Sequence, residues 1–152
     1  MTRIVRRATL DDAQKLIEFV EHLYREESLQ FHAERCHAAL QALLQSEQLG
    51  FVIVGCVEQE LAAYAVTTYG YSLEFGGRFA LLDEIFVQPA YRGQGWGTTL
   101  MDAIYLECQR NKVLSLRLEV EQKNLGAQGL YRRLGFIQHD RHLMTRWIEQ
   151  PT

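Results

Sequence analysis

Cysteine is scarce: Cys36, Cys56 and Cys108 are the only three in 152 residues, widely spaced and odd in number. That excludes a disulfide scaffold and fits a reduced, cytoplasmic protein. Long apolar runs are missing as well. "FVIVGCV" and "LAAYAV" are strand-length, far short of the ~20 residues a membrane helix needs. "MTRIVRRATL" carries charge with no apolar run behind it, so neither a secretory leader nor a membrane anchor is expected. Excess positive charge is also absent. A net charge of −3 and a pI near 5.9 argue against nucleic acid as a partner. No Gly-x-Ser-x-Gly elbow exists for serine acyl transfer. His32, Cys36 and His37 lack the further ligands that would complete a metal site, so no metal is expected. The "HDRH" of His139–His142 reads as a polar hairpin turn, and Cys108 as helix packing.

What is present is ordinary globular material, 47% apolar and 23% charged, enough for a single domain spanning 1–152 with a real core. "RIVRRAT" reads as a first strand, after which Thr9 or Asp11 caps a helix running to about Glu27. In that helix Ala13, Leu16, Ile17, Val20, Leu23 and Tyr24 recur at helical steps. A second helix follows from about Phe31 to Gln45. "LGFVIVGCV" and "LAAYAVTTYGY" form a hairpin, and a Phe75–Gly77 loop leads to the strand "RFALLDEIFV". A helix from about Gly95 to Arg110, the strand "VLSLRLEV" and a short helix "NLGAQGLYRRL" stopped by Gly135 come next. "FIQHD" and "HLMTRWI" read as a closing hairpin. The order predicts an α/β (α+β) fold with a mixed central sheet of about six or seven strands and about four helices.

The stretch "VQPAYRGQGWGTTLMDAI" carries the chemistry. Gly93, Gly95 and Gly97 stand between an apolar strand and a helix. A helix's first N–H groups have no internal partner and carry the positive end of its dipole. Glycines remove the Cβ atoms that would keep an anion from them, so the natural ligand is a phosphate or diphosphate. The nucleoside-triphosphate loop requires lysine after its last glycine, and here Thr98 and Thr99 follow Gly97. The dinucleotide spacing G-x-G-x-x-G does not fit either.

"R-G-Q-G-W-G" after "I-F-V-Q-P" resembles the R/Q-x-x-G-x-G/A signature of the GNAT superfamily of N-acetyltransferases, as does "LRLEVEQKNLGAQGLYRRLGF" downstream. The likeness is specific from Leu82 to Phe136 and nearest to bacterial single-domain members. It implies the acyl-CoA N-acyltransferase fold, whose sheet splays between "DEIFV" and "LRLEV". It further implies acetyl-CoA as cosubstrate, with the main chain of Ile85, Phe86 and Val87 along the pantetheine. The amides of Gly93, Gln94, Gly95, Trp96, Gly97 and Thr98 would cradle the diphosphate, with Arg92 opening the loop. Asn124 would contact the cosubstrate and Tyr131 would lie near its sulfur. The Trp96 side chain reads as packing. A homodimer would suit the family.

Acetyl transfer to a primary amine needs a base for the amine, donors for the oxyanion and a proton for the departing thiolate. Tyr131 suits the last task and the Val87 N–H the second. For the base, Glu119 matches the family position, five residues before Asn124. Glu84 comes second and Asp83 third, since carboxylates in an apolar strand are costly unless used. Adjacent residues point to opposite faces, and a bulge would change which of the two enters a cleft. Tyr24, Phe31, Tyr69, Tyr71 and Phe75, with Glu26, Glu27 and Glu74, are candidates to line the acceptor side. Two other readings stay open: a catalytically silent CoA-binding regulatory module, and a different phosphate-ligand protein using the same turn.

Overall fold

The structure, a computed structural model, describes residues 1–149. The β-branched and alternating segments form β1 (Arg3–Arg7), β2 (Gly50–Val57), β3 (Glu60–Ser72), β4 (Gly77–Val87) and β5 (Leu116–Leu118). Segments with three- and four-residue periodicity form α1 (Ala13–Glu26), α2 (Ala33–Gln45), α3 (Trp96–Arg110) and α4 (Leu125–Arg133). The sheet order is β1-β2-β3-β4-β5. Its pairs are antiparallel except β4–β5, which α3 joins as a parallel crossover. The expected mixed sheet is therefore present.

Two layers cover it. α1 buries Leu16, Phe19, Val20 and Leu23 in one cluster with Val52, Val54, Tyr64, Val66 and Phe86. The strand residues between these, such as Gly55, face α3, which buries Trp96, Leu100, Met101, Ile104 and Cys108. Each such side chain contributes roughly 1.5–3 kcal/mol when fully buried. α1 starts at Ala13 because a 3-10 turn, Leu10–Asp12, precedes it. Asp12 Oδ2 accepts the Thr9 N–H at 2.8 Å, and both its oxygens accept from Arg6 at 2.8 and 2.9 Å.

By its packing the chain parts into two compact units, one ending at Leu118 and one beginning at Glu119. The second contains α4, capped by Asn124, whose Oδ1 accepts the Ala127 N–H at 3.1 Å.

The strand count is lower than expected. Among the described residues five strands form, and the closing hairpin "FIQHD"/"HLMTRWI" is not among them. An apolar pattern favours an extended chain, but a strand exists only where a ladder partner accepts its N–H groups. The "VLSLRLEV" strand shrinks to three residues for the same reason. β4 pairs with it only over Ala80–Leu82 against Leu116–Leu118.

Candidate active site

The first unit assembles three features around the far end of β4. The earliest is a bulge. Val66 pairs with Glu84 while Thr67 pairs with Leu82, so Asp83 is an extra residue on β4. Paired residues share a face of the sheet, and Val66 and Thr67 point to opposite faces. Leu82 and Glu84, two apart, therefore face opposite ways, and Glu84 joins the α1 side beside Val66. Without the bulge, that side would have received Asp83.

There Glu84 meets two phenols. Tyr24 of α1 donates a short hydrogen bond to Oε2, and Tyr64 of β3 donates to Oε1 at 3.1 Å. Burial pushes the Glu84 carboxyl above its usual range, and the two phenol donors offset part of that rise. Burial likewise raises the Tyr24 and Tyr64 hydroxyls, so both stay protonated donors. Phe31 lies edge-on to Tyr24 at 6.1 Å. The other acceptor-side aromatics stand elsewhere: Tyr69 packs on Phe51 at 5.9 Å and Phe75 on Phe79 at 6.0 Å, toward the opposite end of the β3–β4 pair.

The second feature is an open strand edge. Past Leu82, β4 has no ladder partner on its β5 side among the described residues, which is the expected splay. The Gln88 N–H donates to Ala62 O at 2.8 Å. Antiparallel alternation then turns the main chain of Phe86 toward β3, and that of Ile85 and Val87 toward the open edge. Of the three strand residues expected along a pantetheine, two thus present free main-chain groups. Val87 O already accepts from Arg92 Nε at 2.8 Å, leaving its N–H.

The third feature is the glycine loop. Gly93 (φ +74°) and Gly95 (φ +81°) hold left-handed backbone, and a Cβ on either would meet nothing within 4 Å. Among the described residues, the N–H groups of Gly93, Gln94, Gly95, Trp96, Gly97 and Thr98 find no acceptor. The first bond of α3 runs from the Thr99 N–H to Gly95 O at 3.1 Å. Six main-chain donors beside open space suit a diphosphate. The Trp96 side chain is only 1% exposed and packs on Gly55. Arg92 Nη2 reaches both oxygens of Glu26, each at 2.9 Å, so its charge is already paired.

Arg3, not among the residues expected at the site, also lies at the loop. Its Nη1 donates to Gln94 O in the loop at 3.0 Å, and its guanidinium lies 3.9 Å over the Trp96 ring. Nothing local marks a residue 91 positions away as a loop neighbour. The remaining expected residues belong to the second unit. Glu119 is exposed at its start. Asn124 gives its oxygen to the α4 cap, which leaves its amide donors. Tyr131 stacks edge-on to Phe136 at 5.7 Å, and burial raises its hydroxyl. A cavity of about 270 Å³ lies in the first unit, among Arg7, Leu43, Leu44, Glu47 and Phe51. It shares no residue with the loop or with Glu84. No helix among the described residues is long and apolar enough to cross a membrane.

Residues 15–136 match the model of the acetyltransferase (GNAT) family. An uncharacterized N-acetyltransferase of Methanocaldococcus jannaschii is 26% identical over 151 residues, 97% of this chain and 65% of that protein. The chain thus spans about two thirds of that relative's length. A solved integron cassette protein from the mobile metagenome of Cole Harbour Salt Marsh superimposes with a TM-score of 0.85 at 28% identity. That match covers 97% of this chain and 91% of the other. The aminoglycoside N-acetyltransferase AAC(6′)-Iy in complex with CoA shares the fold, with a TM-score of 0.84 at 15% identity over 97% and 95% of the two chains.

Proposed function

Since the chain belongs to the acetyltransferase (GNAT) family, we propose that it transfers the acetyl group of acetyl-CoA to a primary amine by direct attack in a ternary complex. The observation that carries this reading is the row of N–H groups from Gly93 to Thr98 without an acceptor among the described residues, together with the open edge at Ile85 and Val87. The loop receives the diphosphate and the strand edge pairs with the amide-bearing pantetheine. Acetyl-CoA is here a substrate, as is the amine.

Glu84 takes the amine's proton, through water. Burial raises its basicity, whereas Glu119 is exposed and makes no hydrogen bond among the described residues. The neutral nitrogen then attacks the thioester carbonyl, and the Val87 N–H stabilises the oxygen as it gains charge. The C–N bond forms, the C–S bond breaks and the sulfur leaves with the electron pair. Tyr131 supplies a proton to that sulfur, a role favoured by a phenol held protonated through burial, and the second proton shed by the acetylated nitrogen restores the phenol. The products are CoA and the N-acetylated amine.

A thiol-release assay over a panel of primary amines tests the reading, with Glu84→Gln and Tyr131→Phe run beside the wild type. Turnover by the wild type and a loss of about 10²-fold or more in each variant support it. Tight acetyl-CoA binding with no turnover on any amine would instead identify a silent regulatory module.

A further inference from the structure

The motif offers Arg92 as the loop's cation, yet Arg92 is held at Val87 O and clamped onto Glu26 by two 2.9 Å bonds. Opening that clamp to meet an anion would cost both charge-assisted hydrogen bonds to Glu26. Arg3 is placed differently. It lies on the edge strand β1, is exposed, and forms no ion pair among the described residues. One nitrogen, Nη1, is tied to Gln94 O in the middle of the loop. Nε and Nη2 have no acceptor among the described residues. The Trp96 ring 3.9 Å away holds the guanidinium in place, so little rotamer freedom is left to lose when an anion arrives. A planar guanidinium with two free donor groups matches phosphate oxygens in shape and charge.

We propose that Arg3 is a cationic ligand for a phosphate group of the acyl-CoA held in the 93–98 loop, supplying the charge that Arg92 cannot. This rests on the reading of that loop as the acetyl-CoA cradle. The loop's own donors are neutral dipoles, so Arg3 is what makes binding there depend on salt.

Calorimetric titration of acetyl-CoA into wild type, Arg3→Gln and Arg3→Lys, each at low and high salt, tests the idea. Arg3→Gln is expected to weaken binding about three- to tenfold at low salt and to flatten the salt dependence. Arg3→Lys should keep the salt dependence while losing the part of the affinity that comes from the fork geometry. A loss in Arg3→Gln smaller than about threefold, or a loss with unchanged salt dependence, overturns the proposal. The second outcome would leave Arg3 only a lid on Trp96. Should Arg3→Gln not fold, the arginine Nε–H resonance of Arg3 in the wild type gives the answer. It must shift saturably with acetyl-CoA, and a static signal overturns the assignment. If the wild type binds no acetyl-CoA, the cradle reading falls first and this one with it.

Discussion

The Trp96 ring rests against Gly55 so closely that a Cβ there would stand 2.3 Å from Cζ3 and 2.7 Å from Cε3. Trp96 is the first residue of α3 and lends its N–H to the loop, so one glycine in β2 seats the mouth of the cradle from beneath. Gly55→Ala must displace a fully buried ring. We expect a loss of about 1–3 kcal/mol in denaturant unfolding together with weaker acetyl-CoA binding. Unchanged stability would mean that the ring is not packed on that strand.

Glu84 should be costly to the fold. Its carboxyl titrates higher in the folded chain than its ordinary 4.5 because of burial. Any stability it lends is complete below the unfolded value and disappears as pH rises through the folded one. Once ionised, the buried group is therefore a burden. Glu84→Gln should abolish most turnover and yet raise the unfolding midpoint at neutral pH, with the gain shrinking toward pH 4. A lower midpoint at neutral pH would contradict the sign.

Tyr64 tunes that same carboxylate. Its hydrogen bond favours the ionised form of Glu84 and so pulls the pKa down against burial. Removing it in Tyr64→Phe should raise the Glu84 pKa further and shift the acidic limb of the kcat–pH profile to higher pH. An unmoved limb would take Glu84 out of the rate-determining proton transfer.

Asp12 works in the opposite direction. Arg6 and the Thr9 N–H hold its carboxyl below the ordinary 3.8. That stabilisation is present above the unfolded value and is lost as pH falls through the folded one. Asp12→Ala should cost roughly 1–2 kcal/mol at neutral pH, for a cap and a two-pronged arginine contact together. The difference from wild type should shrink in acid, where the folded carboxyl is protonated after the unfolded one. Denaturant melts at neutral and acid pH check this.

Much of the frame was legible because it is local. Helical steps from Ala13 to Leu23, the β-branched run of β2 and the glycines before α3 each act over a few residues. The same holds for the donors of the glycine loop, since unpaired first-turn N–H groups follow from chain chemistry alone. The predicted closing hairpin failed for the converse reason. The segments "FIQHD" and "HLMTRWI" carry apolar residues suited to a strand, but composition cannot supply a ladder partner. Ala38 and Ala42 are exposed although apolar, because α2 buries only the stripe through Leu40.

By its order of residues the chain determined that a strand runs into a glycine turn and then a helix, and hence that a row of free donors exists. Tertiary structure alone decided which charges attend that row. The register slip at Asp83 chose Glu84 for the α1 face, Glu26 took Arg92 from 66 positions away, and Arg3 came to Gln94 from the far edge of the sheet. Backbone preference acts between neighbours, whereas cross-strand register and the pairing of distant charges depend on where the finished layers bring them.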